Sequence, residues 1–315
     1  MMRAESVLAK YYREVRTRTE HLCVPLAIED YVCQPSIEVS PPKWHLGHTT
    51  WFFETLVLVP YLTGYTAFDP RYGYVFNSYY ESQGTRVARG HRGFLSRPTV
   101  SETLAYRAHV DTAIEKLLEQ PVSQSLAALI NLGLAHEQQH QELLITDFKA
   151  ILGNNPLTPL YDPDGRGALD LSAEHIPAET STDQWIAWEG GDREIGHRGD
   201  DFSFDNEQPC HTILVPPFRL RTTLVTNGEY LDFMKDGGYQ QFEFWHAEGW
   251  DWVNMHRHEA PLYWQREEQG SPQWVHYTLR GLQSVEKHAP VSHISFYEAA
   301  AFCAWAGWRL PTEAE

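Results

Sequence analysis

The chain has 315 residues, with 25 Lys and Arg against 42 Asp and Glu, a formal net charge of −17. That balance excludes a nucleic-acid backbone as partner, which needs clustered basic side chains, and no apolar run approaches the roughly 18 residues that span a membrane. Hydrophobic residues at 42% and aromatics at 13% exclude a disordered chain.

Residues 4–23 place Val7, Leu8, Tyr11, Val15 and Leu22 near helical spacing and predict a first helix. Pro41-Pro42 opens a second, because proline lacks only an N–H that a first turn leaves unused. It runs through Trp44, Leu46, His48, Trp51, Phe52 and Leu56 to Pro60. Residues 61–98 form a loop rich in Tyr, Arg and Gly, and loops of this size are commonly functional. A third helix starts at Thr99, which can form a capping box with Glu102, and ends at Pro121. The fourth, Ser123 to Leu152, is stopped by Gly153-Asn154-Asn155-Pro156. Four amphipathic helices predict a four-helix bundle over residues 1–153.

Residues 154–182 read as a polar linker. From 183 to 315 the runs QWIAWEGG and HTILVPPFRLRTTLV alternate with Gly, Pro and Asn turns and with short helices near 226–235 and 295–306, an α+β pattern. About 150 residues per domain predicts two domains, and the charge divides likewise. Residues 1–150 hold 14 basic and 16 acidic side chains, and residues 151–315 hold 11 and 26. The N-terminus has no apolar leader, and Cys23, Cys33, Cys210 and Cys303 form no CxxC pair, so a reduced, cytoplasmic protein is expected.

The densest chemistry lies in His136-Glu137-Gln138-Gln139-His140-Gln141-Glu142. Histidines four apart share a helix face, so both imidazoles can reach one metal ion. Glu142 faces another way and reads as an outer carboxylate. HEQQH also fits the HExxH pattern of zinc proteases, but Leu143 stands where the extended pattern needs Gly, and no histidine follows before His175. A third ligand is available upstream in Lys43-Trp44-His45-Leu46-Gly47-His48. His45 and His48 are three apart, His48 shares the face of Trp51, Phe52 and Thr55, and Gly47 admits a neighbouring backbone. Three neutral nitrogens with open positions suit Zn(II) or Fe(II) alike. In the loop, Tyr79 and Tyr80 can give a proton or an electron. Arg86 and Arg89, with Arg92 and Arg97 beyond, can fork a carboxylate. Taken singly, each residue also has a packing or solvation reading.

Together these segments resemble the sulfoxide synthases of ergothioneine biosynthesis, a family of non-haem iron enzymes. The resemblance rests on KWHLGHTTWFFE (43–54), FNSYYE (76–81), Gly84-x-Arg86-x-x-Arg89, Arg92-Gly93-x-Leu95-Ser96-Arg97-Pro98 and HEQQHQE. In the second half it rests on Asp205-Asn206-Glu207-x-Pro209, Val225-Thr226-Asn227-x-Glu229-Tyr230, Pro290-Val291-x-His293-x-Ser295 and WAGWRLPTEAE. It implies a DinB-like four-helix bundle, 1–153, a linker, 154–182, and an incomplete C-type-lectin-like α+β domain of the formylglycine-generating-enzyme (sulfatase-modifying-factor) type, 183–315.

The implied chemistry is Fe(II), held by His48, His136 and His140, using O2 to join cysteine sulfur to the imidazole C2 of Nα-trimethylhistidine (hercynine) as a sulfoxide. Tyr79 and Tyr80 inherit the active-site tyrosine of the branch that takes free cysteine rather than γ-glutamylcysteine. Arg86 and Arg89 match arginines on the sulfur substrate's carboxylate, and Gln139 matches a residue near the imidazole substrate. The family's second domain continues past RLPTEAE, so a C-terminally truncated polypeptide of weak or no activity is expected. The rivals are 5-histidylcysteine sulfoxide synthase of ovothiol biosynthesis, a selenium-using relative, and a non-catalytic bundle-plus-lectin-like binding protein.

Overall fold

In the first half, three capped helices pack around one apolar helix, and this arrangement positions the site. The structure is a computed structural model that describes residues 6–78, 84–167, 169, 185–267 and 273–315. The chain divides into two units, Met1–Leu171 with Thr278–Gly281 and Ser172–Tyr277 with Leu282–Glu315.

The first unit holds α1 (Val7–Cys23), α2 (Pro42–Phe52), α3 (Val100–Leu118) and α4 (Gln124–Gly153). Each start has a local cause. Ser6 Oγ accepts from the Ala9 N–H at 3.1 Å, and Ser123 Oγ from Leu126 N–H at 3.2 Å. Thr99 and Glu102 close the expected capping box. Pro42 occupies the first turn of α2.

Every residue of α2 is buried. Its sequence, PKWHLGHTTWF, offers no continuous polar face, and such a helix belongs in the middle of a domain. It packs against α3 and α4, and α1 packs against α4. Tyr12, Trp51, Phe52, Phe53, Phe76, Tyr106 and Ile130 form the core between them. Complete burial of each such side chain contributes roughly 1.5–3 kcal/mol.

The second helix does reach Pro60, but not as regular α-helix. Phe53–Leu58 is π-helical and Val59–Tyr61 adds a last turn. A π turn inserts an extra residue, a frequent feature near functional sites. Within it Glu54 is buried and accepts from Tyr65 Oη at 2.6 Å, Tyr106 Oη at 2.8 Å and the Phe68 N–H at 2.9 Å. The long loop is partly ordered into a helical turn, Tyr72–Val75, and a 3-10 stretch, Arg89–Phe94.

The second unit is α+β. Strands β1 (Trp185–Trp188) and β4 (Phe218–Arg221) pair antiparallel, with Trp185 opposite Arg221. Strands β2 (Gly191–Ile195) and β3 (His211–Val215) do likewise, with Gly191 opposite Val215. A third sheet contains β5 (Trp264–Arg266), β6 (Trp274–Thr278) and β7 (Gly281–Ser284) in that order. Helices α5 (Asn227–Lys235) and α7 (Phe296–Ala306) start at the capping boxes Thr226–Glu229 and Ser295–Glu298. Helix α6 (Ala247–His256) was not expected, because His246 at its N-cap makes no side-chain cap and the segment lacks the usual start signal. Tyr230, Phe233, Tyr239, Trp245, Val253 and Phe302 form this unit's core. No helix among the described residues is long and apolar enough to cross a membrane.

Candidate metal centre

Helix α4 presents His136 and His140 one turn apart, and α2 presents His48 against them. One ring nitrogen from each lies within 4.8 Å of the other two. The ring centroids are 4.6 Å apart for His136–His140, 4.8 Å for His48–His140 and 5.0 Å for His48–His136. Trp44 stacks on His48 with centroids 4.6 Å apart and planes 12° from parallel, and Phe52 lies 5.2 Å from His136.

Burial decides the electrostatics. It pushes the pKa of His48 and of His140 well below the ordinary histidine value, and neighbouring imidazoles add to the effect. It lowers His136 to about 4. All three rings are therefore neutral at pH 7, the state in which imidazole binds a cation.

Two ring nitrogens are already engaged. His48 Nδ1 lies 2.6 Å from the Phe76 carbonyl oxygen, which can only accept, so this nitrogen carries the hydrogen. His140 Nδ1 lies 2.7 Å from His45 Nδ1. The Nε2 atoms of both rings remain for a cation. His136 Nδ1 is buried with no hydrogen-bond partner among the described residues. An orphaned nitrogen in a dry site carries an unpaid desolvation cost, and the cluster meets the donor count and chemistry of a three-histidine Fe(II) or Zn(II) site.

The zinc-protease reading fails on Glu137. In that mechanism the glutamate is a general base at the metal. Here Glu137 is fully buried among other partners: Oε1 accepts from Thr19 Oγ1 and Arg107 Nη2, both at 2.6 Å, and Oε2 from Arg16 Nη1 at 2.8 Å. Burial alone would raise its pKa, but Arg107 and Arg16 hold it at about 2. Both oxygens are used, and the carboxylate holds the bundle together.

The other expected residues are placed differently. Arg86 and Arg89 are exposed, and Arg89 Nη2 donates to the Glu38 carbonyl at 2.5 Å. Gln139 is exposed on α4 between the two histidines. Tyr79 and Tyr80 lie outside the described residues. Glu142 is exposed as well, so the outer carboxylate it was read as must be sought elsewhere. That carboxylate is Asp147, whose Oδ2 lies 2.8 Å from His45 Nε2. Asp147 follows His140 by seven residues, two turns along one face, a spacing that could have revealed it. Arg92, read from the sequence as a carboxylate-binding arginine beyond Arg86 and Arg89, packs inside the bundle instead. It is buried, its guanidinium carbon lies 3.4 Å from the Trp44 ring centroid, and Nη1 donates to Ser40 Oγ at 2.8 Å.

Comparison with known proteins matches residues 11–144 to the DinB superfamily and residues 172–315 to the sulfatase-modifying factor enzyme 1-like domain. The chain is 29% identical to a hercynine oxygenase of Mycobacterium tuberculosis over 315 residues, all of this chain and 69% of that protein. It is 29% identical to a hercynine oxygenase of Mycolicibacterium smegmatis over 88% of this chain and 60% of that protein. A formylglycine-generating enzyme of Streptomyces coelicolor is 30% identical over 46% of this chain and 49% of its own length. The chain thus matches a DinB-superfamily region followed by a sulfatase-modifying-factor-like region and resembles hercynine oxygenases over 88% to 100% of its length, while spanning 58% to 69% of theirs.

Proposed function

We propose that this chain is a non-haem iron oxygenase of the ergothioneine type, joining cysteine to C2 of hercynine with O2 and forming hercynylcysteine sulfoxide. The observation that carries the reading is the convergence of the buried His48 and His140 and the half-buried His136, all three neutral at pH 7, in one cluster. The likeness to hercynine oxygenases supports the substrate.

His48, His136 and His140 would hold the iron, with the Phe76 carbonyl orienting His48. Bound Fe(II) supplies the activation of O2. Trp44, Trp51 and Phe52 keep bulk water from the ring nitrogens, which preserves their neutral state. We assign Arg86 and Arg89 to the carboxylate of the sulfur substrate, cysteine or γ-glutamylcysteine, since paired guanidiniums fix one end of a substrate whose other end reacts. Gln139 is assigned to the imidazole substrate, and Tyr79 and Tyr80 to proton or electron delivery. The division into bundle 1–153, linker 154–182 and second domain 183–315 belongs to the same reading, as does a cytoplasmic setting, with which the free Cys23, Cys33, Cys210 and Cys303 accord.

Anaerobic loading with Fe(II), followed by O2, cysteine and hercynine, tests the proposal. One iron per chain and a product with the mass and C2 linkage of hercynylcysteine sulfoxide are expected. No stoichiometric iron, or iron retained in His48→Ala, would sink it. Sulfur attached at C5 of free histidine would move the chain to ovothiol chemistry.

A further inference from the structure

We infer that Asp147 and His45 form a relay that fixes the tautomer of His140, and so turns its Nε2 lone pair toward the metal position. The inference rests on the three-histidine reading above but makes a prediction about the metal-free protein as well.

The contacts run in one line. Ser40 N–H donates to Asp147 Oδ2 at 3.0 Å, Asp147 Oδ2 lies 2.8 Å from His45 Nε2, and His45 Nδ1 lies 2.7 Å from His140 Nδ1. His45 is 2% exposed, Asp147 7% and His140 8%, so bulk water does not compete for these atoms. A carboxylate can only accept. The Asp147 contact therefore places a hydrogen on His45 Nε2, and the relay assigns His45 Nδ1 as the acceptor. The hydrogen in the 2.7 Å contact must then come from His140 Nδ1. A neutral imidazole carries one ring hydrogen, so His140 Nε2 is bare.

This is the outcome that the Phe76 carbonyl imposes on His48 by a shorter route. Both rings are thereby set before any ion arrives. Partners of this kind orient a ligating histidine, and their loss typically weakens metal affinity about 10- to 100-fold. The relay also spans two helices, since Asp147 and His140 lie on α4 and His45 on α2. His45 and Asp147 are positioning residues: neither is among the grouped ligands.

The test uses the whole chain, labelled with 15N-histidine and free of metal. Long-range 1H–15N correlation at neutral pH should show His140 hydrogenated at Nδ1 and bare at Nε2. In His45→Ala that preference should be lost. In His45→Gln it should persist, because the amide oxygen can accept from His140 while the amide nitrogen donates to Asp147. Co(II) affinity, measured by chelator competition, should fall about 10- to 100-fold in His45→Ala and recover most of that loss in His45→Gln. An Nε2–H His140 in the unaltered protein overturns the relay, and so does equal loss of affinity in the Ala and Gln variants with circular dichroism unchanged. A protein that shows the Nδ1–H tautomer but binds no Co(II) sinks the metal reading and leaves the relay standing.

Discussion

Arg107 Nη2 donates to Glu137 Oε1 at 2.6 Å, and neither side chain has any solvent exposure. Arg16 reaches the other oxygen of the same carboxylate and also Asp111 at 2.6 Å. The residue beside a candidate ligand is thus the hub that ties α1 and α3 to α4. Removing one partner of a buried ion pair strands the others, at a cost of about 3–5 kcal/mol. Glu137→Gln should lower stability by that order in urea unfolding. A loss below about 1 kcal/mol, the range of an exposed pair, would mean that this network does not hold the bundle.

Gly47 gives a second prediction. A Cβ there would meet Phe76 ring carbons at 2.1–2.4 Å, in the residue whose carbonyl orients His48. Gly47→Ala must displace Phe76, and overpacking of this kind costs about 1–3 kcal/mol. The melting temperature and the Co(II) affinity should fall together. An unchanged affinity would show that His48 does not depend on the Phe76 contact.

The orphaned His136 Nδ1 predicts a conflict between stability and binding. A buried nitrogen without a partner is destabilising, and an apolar side chain of similar volume removes the penalty. His136→Leu should unfold at a higher temperature than the metal-free parent protein and bind no stoichiometric metal. A lower melting temperature would show that this nitrogen has a partner in solution.

The lowered histidines make the metal-free protein sensitive to acid. Folded His136 takes up its proton near pH 4, whereas the unfolded chain does so near the ordinary value of 6.5. Between these values the unfolded state binds more protons, so stability falls as pH drops from about 6.5 to about 4, by up to about 1.4 kcal/mol per pH unit for each such histidine. His48 and His140 shift in the same direction and should steepen the loss. Glu137, held at about 2, adds a further loss below its ordinary 4.5. Melting curves of metal-free protein from pH 7.5 to 4.5 check this, and His136→Leu should show a shallower slope. A flat profile would mean that the imidazoles are not desolvated in solution.

The bundle helices were legible because their signals are local. Proline at the first turn of α2, the Thr99–Glu102 box and the Ser123 cap each act within four residues of a helix start. Histidines 136 and 140 were legible for the same reason: the pitch of one helix fixes their separation. Helix α6 and strands β5 to β7 were not, since neither a side-chain cap nor a regular alternation marks them.

The sequence alone determined the four long helices of the first unit, the i,i+4 histidine pair and the availability of His48 as a third ligand. Only the tertiary structure decided what the neighbouring charged and ring groups do. It turned Glu137 into a partner of Arg16 and Arg107 rather than a base, left Glu142 in solvent, and brought Asp147 through His45 to His140. Those outcomes depend on how α1, α2 and α3 pack against α4. Contacts between residues 30 to 121 positions apart are set by that packing, to which helical periodicity within one segment is blind.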